Sequence, residues 1–215
     1  MLPCAIQICP MIPLRLLLVI AIGSGPVFAR SRTTCVATTP VANQSRTKLK
    51  HRPPGRHATP STTSIPAMLN WKAPAKAASS ATVRRSNSPI DPKESEAFTV
   101  EGDLWRVVVE ANDCDLHLEL SAPGAGVATD RVIVEVPQVA AYAAVRQAFL
   151  TELARRGATV GGPALQRPVR LRVTGFAFYD GFHFSNGDPQ RGHEHGSAFV
   201  GTLWEIHPVW RVEFE

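Results

Sequence analysis

Hydrophobic and polar residues alternate strictly over residues 115–120. Leu116, Leu118 and Leu120 occupy every second position, and acidic residues and a histidine stand between them. This period of two predicts a β-strand with one face toward a core. Residues 104–109 and 131–136 contain β-branched runs of strand length, so they predict the strands before and after it.

The spacing of apolar residues changes after Pro137. Four of them recur at intervals of three and four, which predicts a helix over residues 139–156 with one apolar face. They are Tyr142, Val145, Phe149 and Leu153. Alternation returns over residues 168–178, a loop follows at 180–197, and a closing strand is predicted over 201–214.

Three strands, a helix and two further strands follow the order of an OB-type Greek-key barrel, which has five strands. We therefore expect residues 98–215 to form a mainly β, OB-like barrel domain with its helix between strands three and four. An open α+β sandwich with the same elements is the alternative. The barrel requires residues 115–120 and 131–136 to be adjacent antiparallel strands.

Charge divides the chain into two parts. Twelve Lys or Arg and no Asp or Glu precede Asp91, whereas eleven Lys or Arg and eighteen Asp or Glu follow from there. Residues 30–97 are rich in Pro, Ser, Thr and Ala without amphipathic period, so they are interpreted as a disordered basic linker. Such an arm can contact anionic polymers or a membrane surface; the alternative is that its charge only keeps the linker soluble.

Residues 1–29 are predicted to be a signal peptide. Arg15 precedes an apolar run over 16–22 that is too short to span a bilayer, and small residues near Ala29 offer a cleavage site. The chain is therefore expected to be exported, to the periplasm or beyond, without a transmembrane helix after cleavage. Cys35 and Cys114 would remain in an oxidising compartment, where pairing and non-pairing are both open.

The loop at 180–197 and the closing strand hold the candidate chemistry. His183, His193, His195 and His207 offer imidazole ligands for a divalent metal. Asp180, Glu205 and His207 are the candidate catalytic groups. The alternative is a glycine-rich loop whose polar residues are only solvated, with no cofactor bound.

His207 and Glu205 fall on the same face of the predicted closing strand. One interpretation makes them a proton-transfer pair or two ligands. The other is structural, with a ring nitrogen of His207 held by a backbone carbonyl. His117, between Asp115 and Glu119, admits the same two interpretations.

Five short motifs follow one another over residues 100–214. They are Asp-x-His-Leu at 115–118, Glu-x-Pro at 135–137, Val-Thr-Gly-x-x-Phe-x-Asp at 173–180, His-Gly at 195–196 and Glu-Ile-His-Pro-Val at 205–209. Together they resemble an uncharacterised family of exported bacterial OB-like domains, in which the last motif has Leu for Ile206. The resemblance implies the fold and brings no activity with it.

Two functional hypotheses follow. The first is a non-enzymatic binding or accessory domain, and the second is a metal-dependent hydrolase, for example one acting on phosphodiesters. The sequence has no nucleophile-elbow, P-loop or dinucleotide motif. Strands two and three carry no aromatic residue and the body is acidic, so sequence-specific nucleic-acid binding is not expected.

Overall fold

The computed structural model describes residues 35–38, 46–54, 59–78, 85–183 and 196–215. Six strands are present in this part of the chain. They are β1 (Ser61–Ser64), β2 (Ala97–Val109), β3 (Leu116–Ser121), β4 (Arg131–Val136), β5 (Val169–Tyr179) and β6 (Val200–Phe214). The α-helices are α1 (Thr47–Lys50), α2 (Ile65–Leu69) and α3 (Ala143–Arg155).

Strands β2 to β6 close into a five-stranded barrel. The first half of β2 pairs with β5 and its second half pairs with β3, so one long strand opens and closes the sheet. β3 and β4 are antiparallel neighbours, β4 and β6 are parallel, and β6 returns antiparallel to β5. With α3 between the third and fourth barrel strands, this is the predicted OB-like topology. The prediction of adjacent strands at 115–120 and 131–136 is confirmed.

The leucines of β3 point into the barrel, as their alternation predicts. Leu118 pairs with Val134 of β4, and both are fully buried in the apolar core. α3 closes one end of this core with the apolar face that its spacing predicts. Phe149 and Leu153 of that face are buried, and Tyr142, in the turn just before α3, is buried with them.

The domain begins earlier than residue 98, so the predicted boundary is corrected. β1 lies parallel to β2 and α2 buries Ile65 and Met68 in the barrel's core cluster. A Cβ on Gly102 would lie 2.9 Å from the Ser121 carbonyl oxygen and 2.5 Å from Ile65 Cδ1, so glycine at this position suits the close approach of β3 and α2. The interpretation as linker missed this because the apolar residues involved are too few and too scattered to show a period.

A second part of the predicted linker, residues 46–52, also packs on the barrel. Arg46 is 1% exposed and donates two hydrogen bonds to the Glu94 carboxylate, at 2.7 and 2.8 Å. We call residues 46–52 the strap. Cys35 and Cys114 form a disulfide, which fastens a further upstream segment to the turn before β3. The signal-peptide prediction falls on residues outside those described.

No helix among the described residues is long and apolar enough to cross a membrane.

Candidate functional site

The barrel has a second buried face on its outside. Side chains that alternate with the core residues of β3, β4 and β6 project outward, and they are charged or ionisable. Seven of them are no more than 2% exposed. The set comprises Asp115, His117 and Glu119 on or beside β3, Arg131 and Glu135 on β4, and Glu205 and His207 on β6. In OB-type barrels the outer face of the second and third barrel strands, here β3 and β4, is the usual ligand surface.

Two pieces of chain cover this face. The strap lies over one side of it, where His51 Nε2 is 3.9 Å from Asp115 Oδ2. Gly196 lies over the other side: a Cβ there would be 3.0 Å from both His117 Nε2 and Glu119 Oε1. Gly196 also has a φ of +87°, so a side chain would be strained as well as crowded. The face is therefore enclosed by the chain itself.

Glu135 stands between the two histidines of the face. Its Oε1 is 3.1 Å from His117 Nδ1, and its Oε2 is 2.8 Å from His207 Nδ1. His207 has further carboxylates around it: Asp115 Oδ2 lies 3.2 Å from Nε2, and Glu205 Oε2 lies 3.4 Å from Nδ1. The chain thus brings three carboxyl groups around one buried imidazole.

Charge pairing governs protonation in this cluster. Burial alone would raise the pKa of Glu135, but His207, His117 and Lys50 lower that pKa well below its usual range. Burial would likewise lower the pKa of His207, and the surrounding carboxylates, with Glu135 foremost, instead raise it. The pKa of His117 is raised to about 10 by its bonds to Glu119 and Glu135, against the effect of burial. In the metal-free protein both rings are imidazolium at neutral pH.

The pKa of Glu205 is shifted in the opposite direction to that of Glu135. Its pKa is raised to about 8, first by burial and then by the charge of Glu135 nearby. Two carboxylates share one low-dielectric site and only one of them is well paired, so their pKa values separate. Glu205 is therefore largely a neutral acid at pH 7.

Glu119 lies at the other end of the face, beside His117, and its carboxylate has several hydrogen-bond donors. Its carboxylate accepts hydrogen bonds from Arg131 at 2.9 Å and Arg106 at 3.0 Å. The Ser197 backbone N–H and hydroxyl donate to the same carboxylate at 2.9 and 2.6 Å. With so many donors committed, Glu119 ties the 196–197 segment to the barrel and is a structural residue.

The opposite end contains donor atoms suited to a metal ion. One ligand atom each from Asp115, Glu135 and His207 lie within 4.8 Å of one another. Asp115 Oδ2 and both ring nitrogens of His207 are buried without a hydrogen bond of acceptable geometry. Asp115 Oδ1, by contrast, accepts from the Gln138 N–H at 2.7 Å, which fixes that carboxylate. Two carboxylates and an imidazole form a donor set for zinc and similar divalent transition metals.

Of the histidines proposed as ligands from the sequence, His207 belongs to the donor set and His183 pairs with an aspartate. His183 Nδ1 is 2.7 Å from Asp180 Oδ2, and Asp180 also accepts from the Phe182 N–H. This pair is not part of the donor set around His207. His193 and His195 lie outside the described residues.

His207 and Glu205 do share a site, as their spacing predicts, but the predicted backbone carbonyl is not what holds His207. The ring contacts carboxylates instead. Sequence reasoning did not single out Glu135, and it treated Asp115 only as a neighbour of His117. A signal was available in β4, where Glu135 is the only acidic residue in a strand of otherwise mostly apolar residues.

Comparison of the chain with protein-family models, with curated proteins and with solved structures finds no match.

Proposed function

We propose that this protein is an exported, non-enzymatic binding module whose barrel holds a divalent transition-metal ion. Asp115, Glu135 and His207 would bind the ion. The observation that carries the proposal is the convergence of their three buried donor atoms within 4.8 Å. Two of these residues contribute atoms that lack a well-formed hydrogen bond, which is costly for a buried polar group unless another partner takes its place.

The surroundings of His207 fit a ligand role. A metal-bound histidine usually donates its second ring N–H to a carboxylate, which fixes the ring. With Nε2 toward Asp115, the other nitrogen Nδ1 has the Glu205 carboxyl at 3.4 Å, which would accept its N–H when Glu135 binds the ion. A bound divalent ion would supply positive charge to this carboxylate-rich end and would take over the role of the His207 proton.

Burial favours binding over the hydrolase alternative. The side chains of Asp115, Glu135 and His207 are 0%, 3% and 0% exposed, so a bound ion would be held away from solvent. A hydrolytic metal centre keeps a coordination position open to substrate. Export is part of the same proposal, and the Cys35–Cys114 disulfide is compatible with it because such bonds persist in oxidising compartments.

The test is metal content. Protein purified without a histidine tag, dialysed against zinc and then against buffer, should retain about one equivalent by elemental analysis. His207→Gln should retain less than about a fifth of that, because it removes the only imidazole of the set. His183→Gln is the matched control: it removes a histidine paired with Asp180 outside the set and should retain the full equivalent.

Wild-type protein without zinc, or equal loss in both variants, would contradict the proposed site. Phosphodiesterase activity that depends on zinc and on His207 would instead favour the hydrolase.

A further inference from the structure

The strap brings one imidazole to the edge of the donor set. It reads Arg-Thr-Lys-Leu-Lys-His-Arg over residues 46–52, and His51 is its only histidine. His51 Nε2 lies 3.9 Å from Asp115 Oδ2, and the histidine side chain is only 13% exposed. Within the part of the chain that the structure describes, both of these atoms are buried and have no hydrogen-bond partner. Two atoms of the kind that bind metal ions therefore lie next to each other, each in need of a partner.

The residues on either side of His51 hold it in this position. Before it, Lys50 Nζ lies 3.2 Å from Asp113 Oδ2, an aspartate outside the donor set. After it, Arg52 donates a hydrogen bond to the Ala177 carbonyl at 3.0 Å. These contacts use no atom of the proposed ligands, so the barrel positions His51 beside Asp115 independently of any ion.

The proposed site lacks one ligand of a closed zinc centre. Asp115, Glu135 and His207 supply three ligands, whereas a structural zinc site has four. With bonds of about 2.0–2.1 Å, neighbouring ligand atoms of a tetrahedral site lie about 3.3 Å apart. Asp115 Oδ2 and His207 Nε2 already have this spacing, at 3.2 Å. His51 Nε2, at 3.9 Å from the same oxygen, needs to approach it by only about 0.6 Å.

We propose that His51 is the fourth ligand of the metal site and that the strap closes on the ion when it binds. This inference rests on the proposed metal-binding function and deepens it, because a fourth protein ligand fills the position that a catalytic centre leaves open. His51 is outside the group of donor atoms that lie within 4.8 Å of one another, so its ring would move inward on binding. Ion and strap would then stabilise each other.

The zinc affinity of a His51 variant is the first test. His51→Gln removes the imidazole and keeps a polar side chain, so zinc should bind at least about tenfold more weakly than to wild type. Replacing even an outer partner of a metal ligand commonly costs about that much. Lys48→Gln changes an exposed residue of the same strap, so it is the matched control and should stay within about threefold of wild type.

X-ray absorption spectroscopy at the zinc edge distinguishes a ligand from a residue that only supports the site. Zinc-loaded wild type should show two imidazole ligands, from His51 and His207, and zinc-loaded His51→Gln should show one.

Amide hydrogen exchange measures closure of the strap. The His51 amide donates to the Thr47 carbonyl within the strap at 2.8 Å. Saturating zinc should slow exchange of this amide about tenfold or more in wild type, because the ion ties the strap to the barrel. In His51→Gln, saturating zinc should leave exchange at the same position unchanged.

The outcomes separate this claim from the proposed function. Zinc-bound wild type with a single imidazole overturns the role of His51, whatever the affinities, and leaves the three-ligand site in place. Wild type that binds no zinc overturns the proposed metal site and the role of His51 with it. Zinc that loses one imidazole and at least about tenfold in affinity on His51→Gln supports both.

Discussion

The two faces of the same three strands, β3, β4 and β6, are both buried, but by different means. On the inner face, leucines and valines pack against each other with α3 closing one end. On the outer face, carboxylates and imidazoles pair with each other under the strap and the 196–197 segment. The inner face is stabilised by removal of apolar surface from water. The outer face depends on each charge keeping its partner, since an unpaired buried charge is costly.

This difference between the two faces indicates which of them can hold a binding site. An apolar core tolerates substitutions of similar size and carries no chemistry. A face of paired charges contributes less net stability than its contacts suggest, because desolvation offsets the attraction between charges. We therefore propose that this face has a use other than stability, namely metal binding.

The largest expected effect is on the inner face. Leu118→Ala removes a fully buried side chain from the centre of the barrel, and a cavity of this kind should lower the free energy of unfolding by about 4 kcal/mol. Urea unfolding measures it. Because Leu118 points away from the donor set, the loss should be the same with zinc as without it, and a zinc-dependent loss would contradict the separation of the two faces.

A smaller loss is expected on the outer face. Glu135→Ala leaves His117 and His207 without their shared carboxylate, which should cost about 3 kcal/mol in metal-free protein. Unlike Leu118→Ala, this variant should also lose stabilisation by zinc, measured as the shift in melting temperature on adding the ion. A Glu135→Ala protein that zinc still stabilises fully would show that Glu135 is not a ligand.

The pH dependence of stability tests the outer face in another way. The folded-state pKa of His117 is raised to about 10, against about 6.5 in the unfolded chain. Its stabilising effect is thus complete below about pH 6.5 and is lost as the pH rises toward 10. Chelated protein should lose at most about 1.4 kcal/mol per pH unit from this group in that window.

His117→Gln should reduce the decrease of unfolding free energy with pH, measured by urea unfolding at pH 6.5, 8 and 9.5. The free energy that Leu118→Ala costs should be the same with and without this substitution. A slope of the opposite sign would mean that His117 is neutral in the folded protein.

The smallest effect is expected where the barrel surface is solvated. Arg172 forms ion pairs with Glu101 and Glu215, but it is 45% exposed. Arg172→Ala should change the free energy of unfolding by no more than about 0.5 kcal/mol and leave zinc binding unaltered. A loss comparable to that of Glu135→Ala would mean that exposed and enclosed charges contribute alike, which would remove the basis of the comparison.

The barrel itself was predictable from sequence because apolar and polar residues alternate along its strands. The leucines of residues 115–120 and the valines of 131–136 give the inner face directly, and their period fixes which residues face outward. The added β1 and α2 were not predictable in the same way. Ile65 and Met68 are isolated apolar residues in a stretch rich in Ser, Thr and Pro, and only the finished barrel surface gives them something to pack against.

The candidate site was predictable only in part. Glu205 and His207 could be paired because they lie two apart on one strand. Glu135 and Asp115 come from strands whose register with β6 is a product of the fold, so no local spacing connects them to His207. The hypothesis of a metal site in the 180–197 loop followed histidine density, and it stays a prediction because His193 and His195 lie outside the described residues.

Anomalous X-ray scattering at the zinc edge, from crystals of zinc-treated protein, tests the central claim most directly. We predict one strong peak at about 2.0–2.2 Å from a carboxylate oxygen of Asp115, one of Glu135 and a ring nitrogen of His207. No peak among these three side chains, or a peak only on histidines elsewhere in the chain, would contradict the assignment of the outer barrel face as a metal centre.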